Sequence, residues 1–167
     1  MTSQADGYRV LTAAQQATLM AIQNELVPPD GELPGAGAAG GAAAVDGYLH
    51  ARPPLQTNVL TVLAAVDVSA LTHAAGPSDN SSPTSPFAAL PAAARVSILR
   101  AVESEHPEPF RTLVELTYTA YYTNPAIQAL LGPDAQPPQP HGYPPPPPFD
   151  PRRLERVKQR GQLWLDA

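Results

Sequence analysis

Leu19, Ile22 and Leu26 recur at spacings of three and four, a single stripe along a helix. Thr12-Ala-Ala-Gln15 stands just before them. This is a capping-box pattern, in which each side chain satisfies an orphan amide of the first turn. The first helix is therefore predicted to start at Thr12 and to end at Pro28-Pro29. Asp30 to Gly41 reads as a Gly/Ala/Pro loop. A second helix is predicted over Ala42 to Ala51, with Val45, Tyr48 and Leu49 inward and a Gly/Ala-rich start weak in side chains. Beyond Pro53-Pro54, a third, Thr57 to Ala74, carries the cleanest apolar face in the chain, Val59, Val62, Leu63 and Val66, and Gly76-Pro77 closes it.

Residues 76–86, GPSDNSSPTSP, form a polar linker without an apolar anchor. A fourth helix is predicted from near Pro91, with Val96, Leu99 and Val102 on its inner face, Ile98 beside them, and Pro107 as its stop. The fifth, Pro109 to Thr123, aligns Phe110, Leu113, Val114, Thr117 and Tyr121 on one face. A short helix, Pro125 to Leu131, follows and ends at Gly132, a natural left-handed cap. Residues 137–151 hold nine prolines and predict extended polyproline. Asp150-Pro151 then opens a last helix in the cap-then-proline order, and Gly161 closes it. β-branched residues fall inside helical periods, no alternating run marks a strand, and no fixed-period repeat is visible. The pattern predicts a single small all-α domain of five to six helices over residues 11–132. A tail over 1–10 precedes it, and a Pro-rich linker over 133–150 and an amphipathic basic helix over 151–167 follow.

Composition narrows the function classes. Charged residues are 15% of the 167, against roughly 25% in typical soluble domains, with alanine filling much of the gap. A charge-poor surface suits a chain that rests against a partner, and a high-GC genome would produce the same bias. The net charge of −5 argues against nucleic-acid binding, which needs a basic face. With no cysteine, disulfides, thiolate zinc sites, iron–sulfur clusters and covalent haem attachment are excluded. The N-terminus as written has no charged n-region, apolar h-region or twin arginine, which predicts a cytoplasmic chain, the alternative being export or membrane association with its partner. Val59 to Leu71, broken by Asp67, reads as too short to span a bilayer, so no direct membrane insertion is expected.

Few constellations could carry chemistry. None of His50, His73, His106 and His141 pairs at the i, i+4 spacing of a helical zinc site. Glu103, Glu105, His106 and Glu108 cluster, either as a carboxylate–imidazole site or as a solvated helix end broken by Pro107; the second reading is favoured, because such charge runs are usually surface. Ser97 and Ser104 lack the strand–turn–helix elbow that exposes a seryl nucleophile. Gly35-Ala-Gly37-Ala-Ala-Gly40 spells G-x-G-x-x-G, but a dinucleotide fingerprint needs a preceding strand, and PPDGELP precedes it here; a low-complexity loop explains the match.

Tyr118, Tyr121 and Tyr122 lie within five residues. They form either a binding surface, since tyrosine offers large contact area at low entropy cost, or a core helix with hydroxyls at its edge. The 3.6-residue period places Tyr121 with the inward residues and Tyr122 about 100° further round. Residues 152–160 hold five of the ten basic residues, Arg152, Arg153, Arg156, Lys158 and Arg160, and Leu154, Val157, Gly161 and Trp164 make a stripe. This helix is shaped either to dock on a partner or to fold back on its own domain.

Three segments carry a family resemblance. Phe87-Ala-Ala-Leu90-Pro91 precedes an arginine-bearing helix ending LRAVES; Pro109-Phe110-Arg111-Thr-Leu113-Val-Glu-Leu116-Thr117 follows; and Tyr121-Tyr122-Thr123-Asn124-Pro125 leads to Leu131-Gly132. With the opening LTAAQQATLMAIQNELVPPD, these resemble the gluconate 2-dehydrogenase subunit 3 family. The resemblance implies a non-catalytic accessory subunit that binds, stabilises or matures a flavin-dependent dehydrogenase of the glucose–methanol–choline type, acting on the CH–OH of a sugar or sugar acid. FAD would then sit in a larger partner subunit, a cytochrome subunit would be a further partner, and this chain would hold no catalytic, cofactor-binding or metal residue. Many members carry a twin-arginine signal, which this chain as written lacks. Tyr118, Tyr122, Asn124, Pro125, Arg156 and Trp164 are the candidate partner-interface residues. Two other readings stay open: an adaptor whose PQPHGYPPPPPFDP is a polyproline ligand, and a small enzyme using Glu103, Glu105 and His106.

Overall fold

The structure, a computed structural model, describes residues 8–73, 85–132, 150–155 and 159. The chain divides into two units, Met1–Ala135 and Gln136–Ala167. In the first, six α-helices follow in order: α1 (Ala13–Leu26), α2 (Gly41–Ala51), α3 (Gln56–His73), α4 (Ala92–Glu105), α5 (Pro107–Tyr122) and α6 (Pro125–Leu131). A 3-10 turn, Pro53–Leu55, runs straight into α3. Among the described residues there is no strand, only an isolated bridge between Asp30 and Leu33.

The predicted capping box forms at α1. The Thr12 hydroxyl accepts from the Gln15 amide, and the Gln15 side chain accepts from the Thr12 amide at 2.9 Å. α3 is the hub and packs most extensively on α5, then on α4. Its Val59, Val62, Leu63, Val66 and Ala70 are buried with Leu19, Ile22, Val45, Leu49, Phe87 and Leu113 in one core.

Several boundaries and faces differ from the sequence reading. α5 begins at Pro107, two residues earlier, because the first amides of a helix have no intrahelical acceptor and Pro107 and Pro109 both fall in that first turn. The proline that ends α4 therefore also starts α5, with only His106 between them. Val96 is 37% exposed, while Ile98, Leu99 and Val102 are buried. α4 is rotated so that Arg95 reaches inward: its Nε donates to Glu25 at 2.7 Å and its Nη1 to the carbonyls of Ala88 and Leu90. That fork ties α1 to the turn that seats Phe87. Leu116 and Ala120 also join the α5 core face. The helical run Pro53–His73, 21 residues with its 3-10 turn, is long and apolar enough to cross a membrane by length and composition. The shorter span read from sequence missed it because helix continues through polar Gln56, Thr57 and Asn58. Here its apolar face is core.

Two polar clusters fix the chain between helices. The Asp46 carboxylate of α2, 1% exposed, accepts from the amides of Arg9 (2.7 Å), Val10 (3.0 Å) and Leu11 (2.8 Å). Thr18 of α1 donates to Asp67 of α3 at 2.8 Å, and its oxygen lies 2.9 Å from the Ser85 hydroxyl. With the Thr18 proton spent on the carboxylate, Ser85 donates to Thr18. Burial pushes the Asp67 carboxyl above its ordinary value, against the lowering effect of the Thr18 hydrogen bond. An acid whose pKa is raised by folding holds its proton more tightly folded than unfolded, so ionising it costs stability as pH climbs through the carboxylate range. Asp67→Asn keeps an acceptor for Thr18 and is expected to be at least as stable as the parent at neutral pH. The advantage should vanish below about pH 4. Denaturant midpoints at both pH values check this; a less stable variant at neutral pH with an unchanged gap in acid would refute it.

In the second unit, Asp150 caps as predicted, accepting from the Arg152 amide at 3.0 Å, and opens a 3-10 turn, Pro151–Leu154, beyond which the Gln159 amide donates to the Glu155 carbonyl at 3.0 Å. The polyproline stretch, most of the linker over 76–86, and the stripe residues Val157, Gly161 and Trp164 lie outside the described residues.

Candidate partner interface

α1 ends at Leu26 because Pro28-Pro29 cannot continue it, and the chain then doubles back along α1. Asp30 and Leu33 exchange backbone hydrogen bonds of 3.0 and 2.9 Å around Gly31, whose φ of +56° suits glycine. Further on, the Ala36 amide donates to the Val27 carbonyl, and the Asn24 side chain accepts from the amides of Gly37 (3.0 Å) and Ala38 (3.2 Å). A Cβ at Gly37 would lie 2.2 Å from the Met20 carbonyl oxygen. The G-x-G-x-x-G spelling is thus a loop laid against a helix, its second glycine required by that close approach. Gly37→Ala is expected to cost about 2–3 kcal/mol, since neither backbone can yield cheaply; urea unfolding measures it, and a loss below about 0.5 kcal/mol would show that the loop can shift aside.

The loop is held from its other side by the corner between α5 and α6. The Tyr121 hydroxyl donates to the Pro34 carbonyl at 2.9 Å, and the Asn124 side-chain amide donates to Ala39 at 2.8 Å. As predicted, Asn124 is extended (φ −70°, ψ 120°) and caps α6, accepting from the Ala126 amide at 2.9 Å, with Pro125 at the first helical position. Gly132 closes α6 with φ +83°. Ala36, Tyr121 and Ile127 form a small second core between loop and corner. Burial, with lesser contributions from Tyr122 and Asp30, holds the Tyr121 phenol above its ordinary value, so it remains a donor at neutral pH.

Tyr121 is 3% exposed and Tyr122 51%, the division read from the helical period. Tyr118 is 43% exposed, and its ring stacks on Tyr122 with centroids 6.2 Å apart. Tyr121 meets Tyr122 edge-on at 5.2 Å. Leu130 and Leu131 of α6 are also exposed. Between corner and loop lies a cleft of about 270 Å³ lined by Val27, Pro28, Asp30, Leu33, Tyr121, Tyr122 and Leu131.

Of the residues singled out from sequence, Tyr118, Tyr122, Asn124 and Pro125 therefore meet at one corner, although both polar ends of the Asn124 side chain are engaged within the chain. Arg156 and Trp164 lie outside the described residues. Asp30, Leu33 and Leu131 were not anticipated at this site; the one sequence signal was the Pro-Asp-Gly turn following Pro28. Glu103, Glu105 and Glu108 are exposed, His106 is half-buried, and no group of three metal-ligating side chains converges among the described residues. Ser97 and Ser104 are exposed on α4.

Residues 13–132, from the first residue of α1 to the glycine that closes α6, match the model of a family described as gluconate 2-dehydrogenase subunit 3. No curated protein and no solved structure matches the chain.

Proposed function

The chain belongs to the gluconate 2-dehydrogenase subunit 3 family, and from that premise we propose that it is the non-catalytic small subunit of an oxidoreductase complex. Its partner is a larger FAD-dependent dehydrogenase subunit that holds the flavin and acts on the CH–OH of a sugar or sugar acid, with a cytochrome subunit as a further member. The observation that carries this reading is the Tyr118–Tyr122 stack. Two half-exposed aromatic rings stand on a corner whose neighbouring loop is pinned by Asn24, Tyr121 and Asn124. A rigid aromatic ledge offers contact area without an ordering cost on binding, and about half of Tyr122 stays open to solvent.

Co-expression with a larger FAD-dependent dehydrogenase subunit from the same organism tests the proposal. Tyr122→Ala is expected to leave the thermal melt unchanged and to weaken dehydrogenase binding by more than ~1 kcal/mol, roughly fivefold or greater. Undiminished binding, or a melt lowered as far as by loss of Tyr121, would refute the assignment. The adaptor reading makes a different forecast. Replacing Pro144–Pro148 by Gly and Ser in the full chain should abolish partner binding if the polyproline segment is the ligand, and should leave it intact if the helical corner is.

A further inference from the structure

We infer that the cleft beside Tyr122 receives an arginine side chain from the partner protein. This rests on the proposal that the corner is the partner interface and names the chemistry of what enters it. The cleft walls are apolar or aromatic, contributed by Val27, Pro28, Leu33, Leu131 and the two tyrosines, and among the described residues Asp30 is the one carboxylate that lines it. The Asp30 backbone is fixed by its paired bonds to Leu33, while its side chain makes no hydrogen bond or ion pair among the described residues. Among the described residues no cationic side chain lines the cleft.

Size and charge select the occupant. At about 270 Å³ the space falls below the roughly 300–1,000 Å³ of small-molecule and cofactor sites, which leaves room for one side chain. A purely apolar anchor would strip water from Asp30 and return nothing, and an acidic one would be repelled by it. A cation meets both demands, pairing with Asp30 and lying over the Tyr122 ring. Arginine fits better than lysine, because its planar, weakly hydrated guanidinium stacks on aromatic faces and forks onto a carboxylate.

The test is an NMR titration of the full-length protein with acetyl-Leu-Arg-Leu-amide and with its citrulline counterpart, which keeps the shape and removes the charge. Saturable shifts are expected at Asp30–Leu33 and Tyr121–Tyr122 with the arginine peptide. Binding should be at least about fivefold weaker for the citrulline peptide, and Asp30→Asn should erase that difference. Equal affinity for the two peptides, or no saturable shift with either, overturns the inference. The same variants, measured against the co-expressed dehydrogenase, separate the two claims. If Tyr122→Ala weakens the complex and Asp30→Asn does not, the arginine inference falls and the interface stands. If neither weakens it, the interface reading falls as well.

Discussion

Asp46→Ala is expected to destabilise the protein by about 3–5 kcal/mol, because three backbone amides lose a charged acceptor at once. Asp46 reads as an unremarkable acid in a Gly/Ala-rich helix, yet its carboxylate is buried and accepts three consecutive amides, Arg9, Val10 and Leu11. These amides stand just before the Thr12 cap, where no helix or strand supplies an acceptor. Each hydrogen bond to a charged group contributes roughly 1.5–3 kcal/mol, and each buried donor left unpaired costs roughly 1–3. The total stays below the sum because the segment can peel into water once released. Urea unfolding gives the magnitude, and amide exchange gives the location: protection should fall first at residues 9–11. Asp46→Asn, which keeps one acceptor oxygen, should lie between. A loss under about 1 kcal/mol would mean that the N-terminal segment contributes little to the fold.

Tyr121→Ala is expected to cost a similar amount, about 3–5 kcal/mol, as for other buried aromatics, with a different local signature. Its ring fills the small core with Ala36 and Ile127, and its hydroxyl holds Pro34. Removal should therefore loosen the loop over residues 33–40 and the α6 helix before it touches the main core around α3. Tyr121→Phe isolates the hydroxyl and should cost about 1 kcal/mol. Limited proteolysis within the loop, set beside thermal melts, distinguishes the variants. If Tyr121→Ala melted like the parent, the loop would be held by Asn24 and Asn124 alone.

Much of this was readable from the chain because the signals were local. A capping box needs only Thr12 and Gln15, a helix start only Asn124 and Pro125, and the α3 face only the spacing of Val59, Val62, Leu63 and Val66. The Tyr121–Tyr122 division followed from the helical period alone. What escaped depends on partners far away in sequence. Val96 satisfies the inward period as well as Ile98 does, and only the Arg95–Glu25 pair, seventy residues apart, sets the rotation of α4. The three amides on Asp46 come from 35 to 37 residues upstream, and no pattern around Asp46 announces them. Gly37 was legible as a glycine but not as a contact, since the Met20 carbonyl on α1 is its reason. The cleft was invisible for the same cause: Asp30 and Leu131 become neighbours only after the loop has folded back.

The central position of α3 has a consequence for how the protein is made. Its apolar face is shielded chiefly by α5, which is completed about fifty residues after α3 ends. At ~5–20 residues per second of synthesis, the nascent chain spends roughly 2.5–10 s with a helix apolar enough for a bilayer emerging from the ribosome and its main covering partner still unmade. Early in that interval α1 is its main cover, joined by α4 once that helix is made, and a chaperone or the membrane insertion machinery competes with α5 for the same valines.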